Sequence, residues 1–105
     1  MEKGDIEGII TCERSKPFIS EYRPAHLIKD NYLTTGTHHY IGVNSIECGK
    51  SALGFITFVT PEAYPHCLEE GQKIIIQEGS NLVGYAIVVK ILNELLRIKW
   101  NYILI

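Results

Sequence analysis

Two runs rich in isoleucine and valine, near Gln72–Gln77 and Leu82–Leu92, flank the turn formers Glu78-Gly79-Ser80-Asn81. No other stretch constrains the fold as strongly. Gly79 reaches positive φ without a Cβ clash and asparagine tolerates the left-handed region, so these four residues suit a tight reversal. The pattern predicts a β-hairpin, the spine of a β-barrel.

The rest of the chain reads as strands too. In Asp5–Glu13, Ile6, Ile10 and Cys12 share one face at period two while Glu7 and Thr11 share the other, as in a half-buried strand. Pro24 pushes Arg23 into an extended conformation, so Tyr22-Arg23-Pro24 leads into a strand over Ala25–Ile28 rather than a helix. Asp30-Asn31 and Thr34-Thr35-Gly36-Thr37 read as turns, His38–Val43 as a strand, and Ser51–Val59 as a central strand. Pro61 and Pro65 break the next segment into a surface loop with a short strand near Cys67-Leu68. From Leu96 onward, Ile98, Trp100, Tyr102 and Leu104 alternate with Arg97, Lys99 and Asn101, which predicts one more antiparallel strand at the C-terminus.

The expectation is therefore a single all-β domain over residues 1–105, with residues 93–105 as a C-terminal extension. A net charge of -2 argues against a protein whose main task is gripping phosphate backbone. Three widely spaced cysteines, Cys12, Cys48 and Cys67, fit free thiols in a reducing compartment better than a disulfide scaffold. The first residues lack the apolar core of a signal peptide, and no apolar run is long enough to span a bilayer. A cytoplasmic location without membrane attachment follows as the expectation.

Motifs for chemistry are weak. Gly49-Lys50-Ser51 resembles the tail of a phosphate loop, but Asn44 stands where the motif needs glycine, and the segment feeds a strand rather than a helix. No nucleotide is expected. His26, His38, His39 and His66 lack the close ligand pairs of zinc sites, and adjacent His38 and His39 point to opposite faces of a strand, so no metal or other cofactor is expected. Neighbouring His66 and Cys67 diverge in an extended segment, and no nucleophile, base and orienting group come together, so no catalytic residue is assigned. Arg23, a planar fork beside Tyr22, suits phosphate or, preferably, a carboxylate across the barrel. Trp100 and Tyr102 suit an interface, since aromatic residues are enriched in hot spots and an edge strand offers unpaired backbone groups. Covering the barrel core is their alternative role. Tyr22, Arg23, Trp100 and Tyr102 are the candidate partner-facing residues.

Taken together, Tyr22-Arg23-Pro24, Thr35-Gly36-Thr37, Gly49-Lys50, Leu68-Glu69-Glu70-Gly71, Glu78-Gly79 and Val83-Gly84 resemble, in order and approximate spacing, the third, C-terminal barrel domain of translation elongation factor Tu. The resemblance runs from about Asp5 to Leu92 and implies a six-stranded antiparallel closed barrel. It implies that Thr35, Glu78 and Gly79 fall where that family touches the T-arm of tRNA. Ala25 stands where the family has an amide that helps contact tRNA, and the Glu13–Phe18 loop is shorter than its counterpart. With no GTPase domain in these residues, the resemblance implies a stand-alone binding module rather than a working elongation factor. Its expected partner is a protein, either a translation factor or a toxin that docks on the elongation factor, with the chain as decoy or immunity protein. The alternatives are a small RNA-binding accessory protein on the tRNA T-arm and, less well supported by the residues, a small hydrolase. A homodimer through the C-terminal strand is a further expectation.

Overall fold

The structure, a computed structural model, describes residues 4–99. Its strands are β1 (Ile6–Cys12), β2 (Phe18–Ile19), β3 (Ala25–Lys29), β4 (Tyr32–Tyr40), β5 (Ser45–Ile46), β6 (Ser51–Phe58), β7 (Lys73–Glu78) and β8 (Asn81–Ile91). Six of them close into an antiparallel barrel in the order β1-β6-β4-β3-β7-β8, with β8 returning to β1. β2 and β5 form a separate two-stranded sheet. The predicted barrel is therefore present, and the predicted hairpin is β7–β8. Glu78 pairs with Asn81 across a two-residue loop in which Gly79 takes φ 61°.

Strand alternation sends Ile6, Ile10 and Cys12 of β1 inward, to meet Ile56 and Phe58 of β6, Ile74 and Ile76 of β7, and Ala86 and Val88 of β8. Six strands enclose a narrow interior, so several inward positions must stay small. A Cβ at Gly84 would lie 2.3 Å from the Thr11 carbonyl oxygen and 2.9 Å from the Phe18 ring. A Cβ at Gly36 would lie 2.8 Å from Ile56 and 2.9 Å from the His26 ring. Gly36 therefore serves close approach inside a strand and does not mark a turn. That corrects the reading of Thr34–Thr37, which lies within β4. The chain reverses earlier, at Asn31, whose φ is 56°.

Call the end carrying the β7–β8 tip the upper end and the end carrying Asp5 the lower. Asp5 gathers the lower end. Its carboxylate accepts from the Phe58 amide at 2.7 Å and the Asn93 side-chain amide at 2.9 Å, while its carbonyl accepts from the Leu92 and Asn93 amides. Pro61–Ala63 forms a 3-10 turn, and beyond it Tyr64 and Leu68 are buried against the lower core.

The C-terminal extension departs from its expected course. Glu94–Leu96 forms a 3-10 turn whose Asn93 side chain accepts from the Leu95 amide. Leu96 is fully buried, and Arg97 then makes an isolated parallel bridge with Leu68. In the described part of the extension, the period-two pattern thus serves a plug beside Leu68 rather than an added antiparallel strand. Trp100 and Tyr102, and with them the rest of the predicted strand, lie outside the described residues. Among the described residues no helix is long and apolar enough to cross a membrane.

Candidate interaction surface

At the upper end, the loop between β1 and β2 folds Arg14 back over the barrel. Its guanidinium carbon sits 4.5 Å from the Tyr22 ring centroid and 5.1 Å from that of Phe18. Arg14 donates to the Lys16 carbonyl at 2.9 Å and the Pro17 carbonyl at 3.0 Å, which pins the loop. It also donates to the Tyr22 hydroxyl at 3.0 Å and pairs with the Glu78 carboxylate, which in turn accepts from the Tyr22 hydroxyl. The Tyr22 hydrogen bond, with Arg14 beside it, holds the Glu78 carboxyl below the usual carboxylate range against an opposing effect of burial. Burial, then the bond to Glu78, pushes the Tyr22 phenol up.

A pairing with a carboxylate across the barrel was expected for Arg23, but the ion pair found at this end is that of Arg14 with Glu78. Arg23 is exposed and has no ion-pair partner among the described residues. Tyr22 faces the Arg14 guanidinium and the His38 ring, and its carbonyl accepts from the His38 amide at 2.9 Å. Arg14 lies in the Glu13–Phe18 loop, where no site residue was expected. Its spacing from Phe18 and Tyr22, four and eight residues on, is the signal that marks it.

The register brings the resemblance-based tRNA residues to one region. Thr35 pairs with Ala25, which pairs with Gln77, which pairs with Leu82. Thr35 is thus two strands from the residue preceding Glu78, about 10 Å across the sheet. Glu78 and Gly79 are exposed at the tip, and Thr35 is half-buried on the outer face.

A second outward feature has no counterpart among the expected site residues. Ile87 of β8 pairs with Ile9 of β1, Ile9 pairs with Leu53 of β6, and the Ile41 amide donates to the Leu53 carbonyl at 2.9 Å. All four side chains face out of the barrel. Ile9 is 44% exposed, Leu53 38% and Ile41 43%. Next along β8, Tyr85 lies under the Lys73 ammonium, 4.4 Å from ring centroid to nitrogen, and pairs with Ile75. The sequence did carry this signal. Ile9-Ile10, Ile74-Ile75-Ile76 and Ala86-Ile87-Val88 place apolar residues at consecutive positions, so both faces of those strands are apolar.

Other candidates resolve differently. His38 is buried and His39 exposed, as their adjacency predicts. Among the described residues no three His, Cys, Asp or Glu side chains converge on a position able to hold a metal ion. Gly49, with φ 83°, turns the chain into β6, so Gly49-Lys50-Ser51 leads into a strand. Cys12, Cys48 and Cys67 are free thiols. An open hollow of about 440 Å³ at the lower end is lined by His66, Glu94, Leu95, Arg97 and Lys99. Arg97 there is already paired with Glu70 and Glu94. No known family model matches the chain.

Proposed function

We propose that this chain is a non-catalytic binding module that recognises a protein through the outer face of β8, β1 and β6. The observation that carries this reading is the continuous outward row Ile87–Ile9–Leu53–Ile41. Apolar side chains scattered singly over a surface are ordinary, whereas a row of neighbouring ones marks an interaction site. Closure of the barrel leaves no unpaired edge among its six strands, so recognition there rests on side chains rather than on strand addition.

The resemblance to the third domain of elongation factor Tu suggests the class of partner. It would be a cytoplasmic translation factor or a toxin that docks on that factor, with this chain acting as decoy or immunity protein. Capture of proteins from the native cell extract tests the reading, with Ile9→Lys plus Leu53→Lys as the disrupted form. Both sites are exposed, so the variant should keep its fold while losing the captured protein. Equal capture by the variant, with its fold intact, would reject this face.

A second reading is a small RNA-binding protein on the tRNA T-arm. It is favoured by the shared location of Thr35 with Glu78 and Gly79. Glu78 would meet ribose hydroxyls, because a carboxylate repels phosphate. Binding of tRNA across a salt series separates the two readings. Backbone-driven affinity falls steeply with salt, whereas an apolar protein contact changes little. Recovery of tRNA alone from the extract would overturn the protein reading.

A further inference from the structure

His26 of β3 and His38 of β4 are fully buried inside the barrel, with their Nε2 atoms 2.9 Å apart. Their partners fix where the protons lie. The Thr34 carbonyl, 3.3 Å from His26 Nδ1, can only accept, so Nδ1 carries the hydrogen and the neutral ring leaves Nε2 bare. His38 must then donate from its own Nε2, which leaves its Nδ1 bare to accept from the Tyr40 hydroxyl at 2.8 Å. The result is a one-way chain from half-buried Tyr40 through His38 and His26 to the Thr34 carbonyl. No buried polar side-chain atom among the described residues lacks a partner.

We propose that this chain is an acid-responsive latch inside the barrel, between Tyr22 on one side and Phe58 and Tyr64 on the other, able to take one proton without losing a bond and broken by a second. The first proton adds from solvent to His38 Nδ1. The Tyr40 hydroxyl becomes the acceptor and turns its own hydrogen outward. Every hydrogen bond between β3 and β4 in the chain survives. The second proton has only His26 Nε2 left, and there it sets N–H against N–H between two imidazolium rings.

The surroundings offer no counter-charge. Cys12 lies nearby on β1, Tyr64 reaches the Thr34 hydroxyl at 2.8 Å, and the Tyr22 ring meets His38 edge-on. Carboxylates stand only behind the adjoining rings and are already engaged: Glu78 with Arg14 and Tyr22 beyond the Tyr22 ring, and Asp5 with the Phe58 amide and Asn93 beyond the Phe58 ring that meets His26 edge-on. The one other titratable side chain acting on His38 is the neighbouring imidazole of His39. Burial pushes both imidazoles down, His26 to about 4. The unfolded chain binds these protons below about pH 6.5 and the barrel does not, so stability is full above that pH and falls as acid is added. Tyr22 couples the event outward, since its ring rests on His38 and its hydroxyl holds the hairpin tip through Glu78.

The test is a pH series on the full chain, following imidazole nitrogen resonances and backbone amide exchange. Near neutral pH His26 should show the Nδ1–H tautomer and His38 the Nε2–H tautomer, and both should stay neutral as the pH falls through the ordinary imidazole value of about 6.5. One proton should then enter with β4 amides still protected, and the second should coincide with loss of that protection. His26→Gln, which cannot take the second proton, should move the acid midpoint down by at least about one pH unit. Identical tautomers on the two rings, protonation of both near the ordinary imidazole value of about 6.5, or an unmoved midpoint in folded His26→Gln would overturn the proposal. If His26→Gln does not fold, the tautomers of the unaltered protein decide.

Discussion

The upper end of the barrel is closed by a guanidinium resting on the rings of Phe18 and Tyr22, half open to water. The lower end is closed by Tyr64, Leu68 and Leu96 above the Asp5 carboxylate, out of water. Both closures tie distant parts of the chain, Arg14 to Glu78 above and Asp5 to Asn93 below. Their energetics differ because solvent screens an exposed ion pair, whereas a buried acceptor that loses its role leaves its donors unsatisfied. The lower end should therefore set global stability, and the upper end should respond to salt and pH.

The sharpest test of that contrast is Asp5→Ala. It strands the Phe58 amide and the Asn93 side chain inside the lower end, and the expected loss is about 4 kcal/mol in urea unfolding. A loss that fades in high salt would mean the Asp5 site is wet, and the contrast between the ends would fail. Next is Leu96→Ala, which opens a cavity beside Leu68 and should cost about 3 kcal/mol. A negligible cost would show that the 3-10 turn is an ornament on a barrel already closed below.

These lower-end residues were the hardest to read from sequence, for a physical reason. Period-two alternation reports which face of a strand is buried and it located β1, while runs of apolar and β-branched residues bounded by turn formers located β6, β7 and β8, each to within a residue or two. The same alternation in Leu96-Arg97-Ile98 predicts a strand that does not form there. One buried leucine followed by an arginine paired with Glu70 and Glu94 produces an equal pattern in a plug. Thr34–Thr37 misled in the opposite direction. Its glycine relieves crowding against His26 and Ile56, a contact between strands that no local pattern records. The partner of Glu78 was hidden similarly, because Arg14 lies 64 residues away.

At the upper end the effects should be smaller. Arg14→Ala removes two ring contacts and two loop-pinning hydrogen bonds, for an expected loss of about 2 kcal/mol. Arg14→Lys should recover little, because an ammonium cannot lie flat on a ring while reaching two carbonyls and a carboxylate. Full recovery by lysine would reduce the cluster to a point charge.

The smallest effect is expected at Glu78, and its dependence on conditions matters more than its size. Glu78→Gln keeps the shape and removes the charge, so the loss should be about 1 kcal/mol or less and should shrink as salt is added. Because the Glu78 carboxyl is held down in the folded barrel, its contribution is present above the unfolded value of about 4.3 and is lost as pH falls through the folded value. The histidine chain responds at higher pH, beginning near 6.5. A comparison of Glu78→Gln with the unaltered protein should therefore show parallel stability curves from pH 7 to 5 that converge only in stronger acid. Curves that converge already between pH 6.5 and 5 would mean that the tip and the buried imidazoles titrate as one unit, with Tyr22 transmitting charge as well as contact.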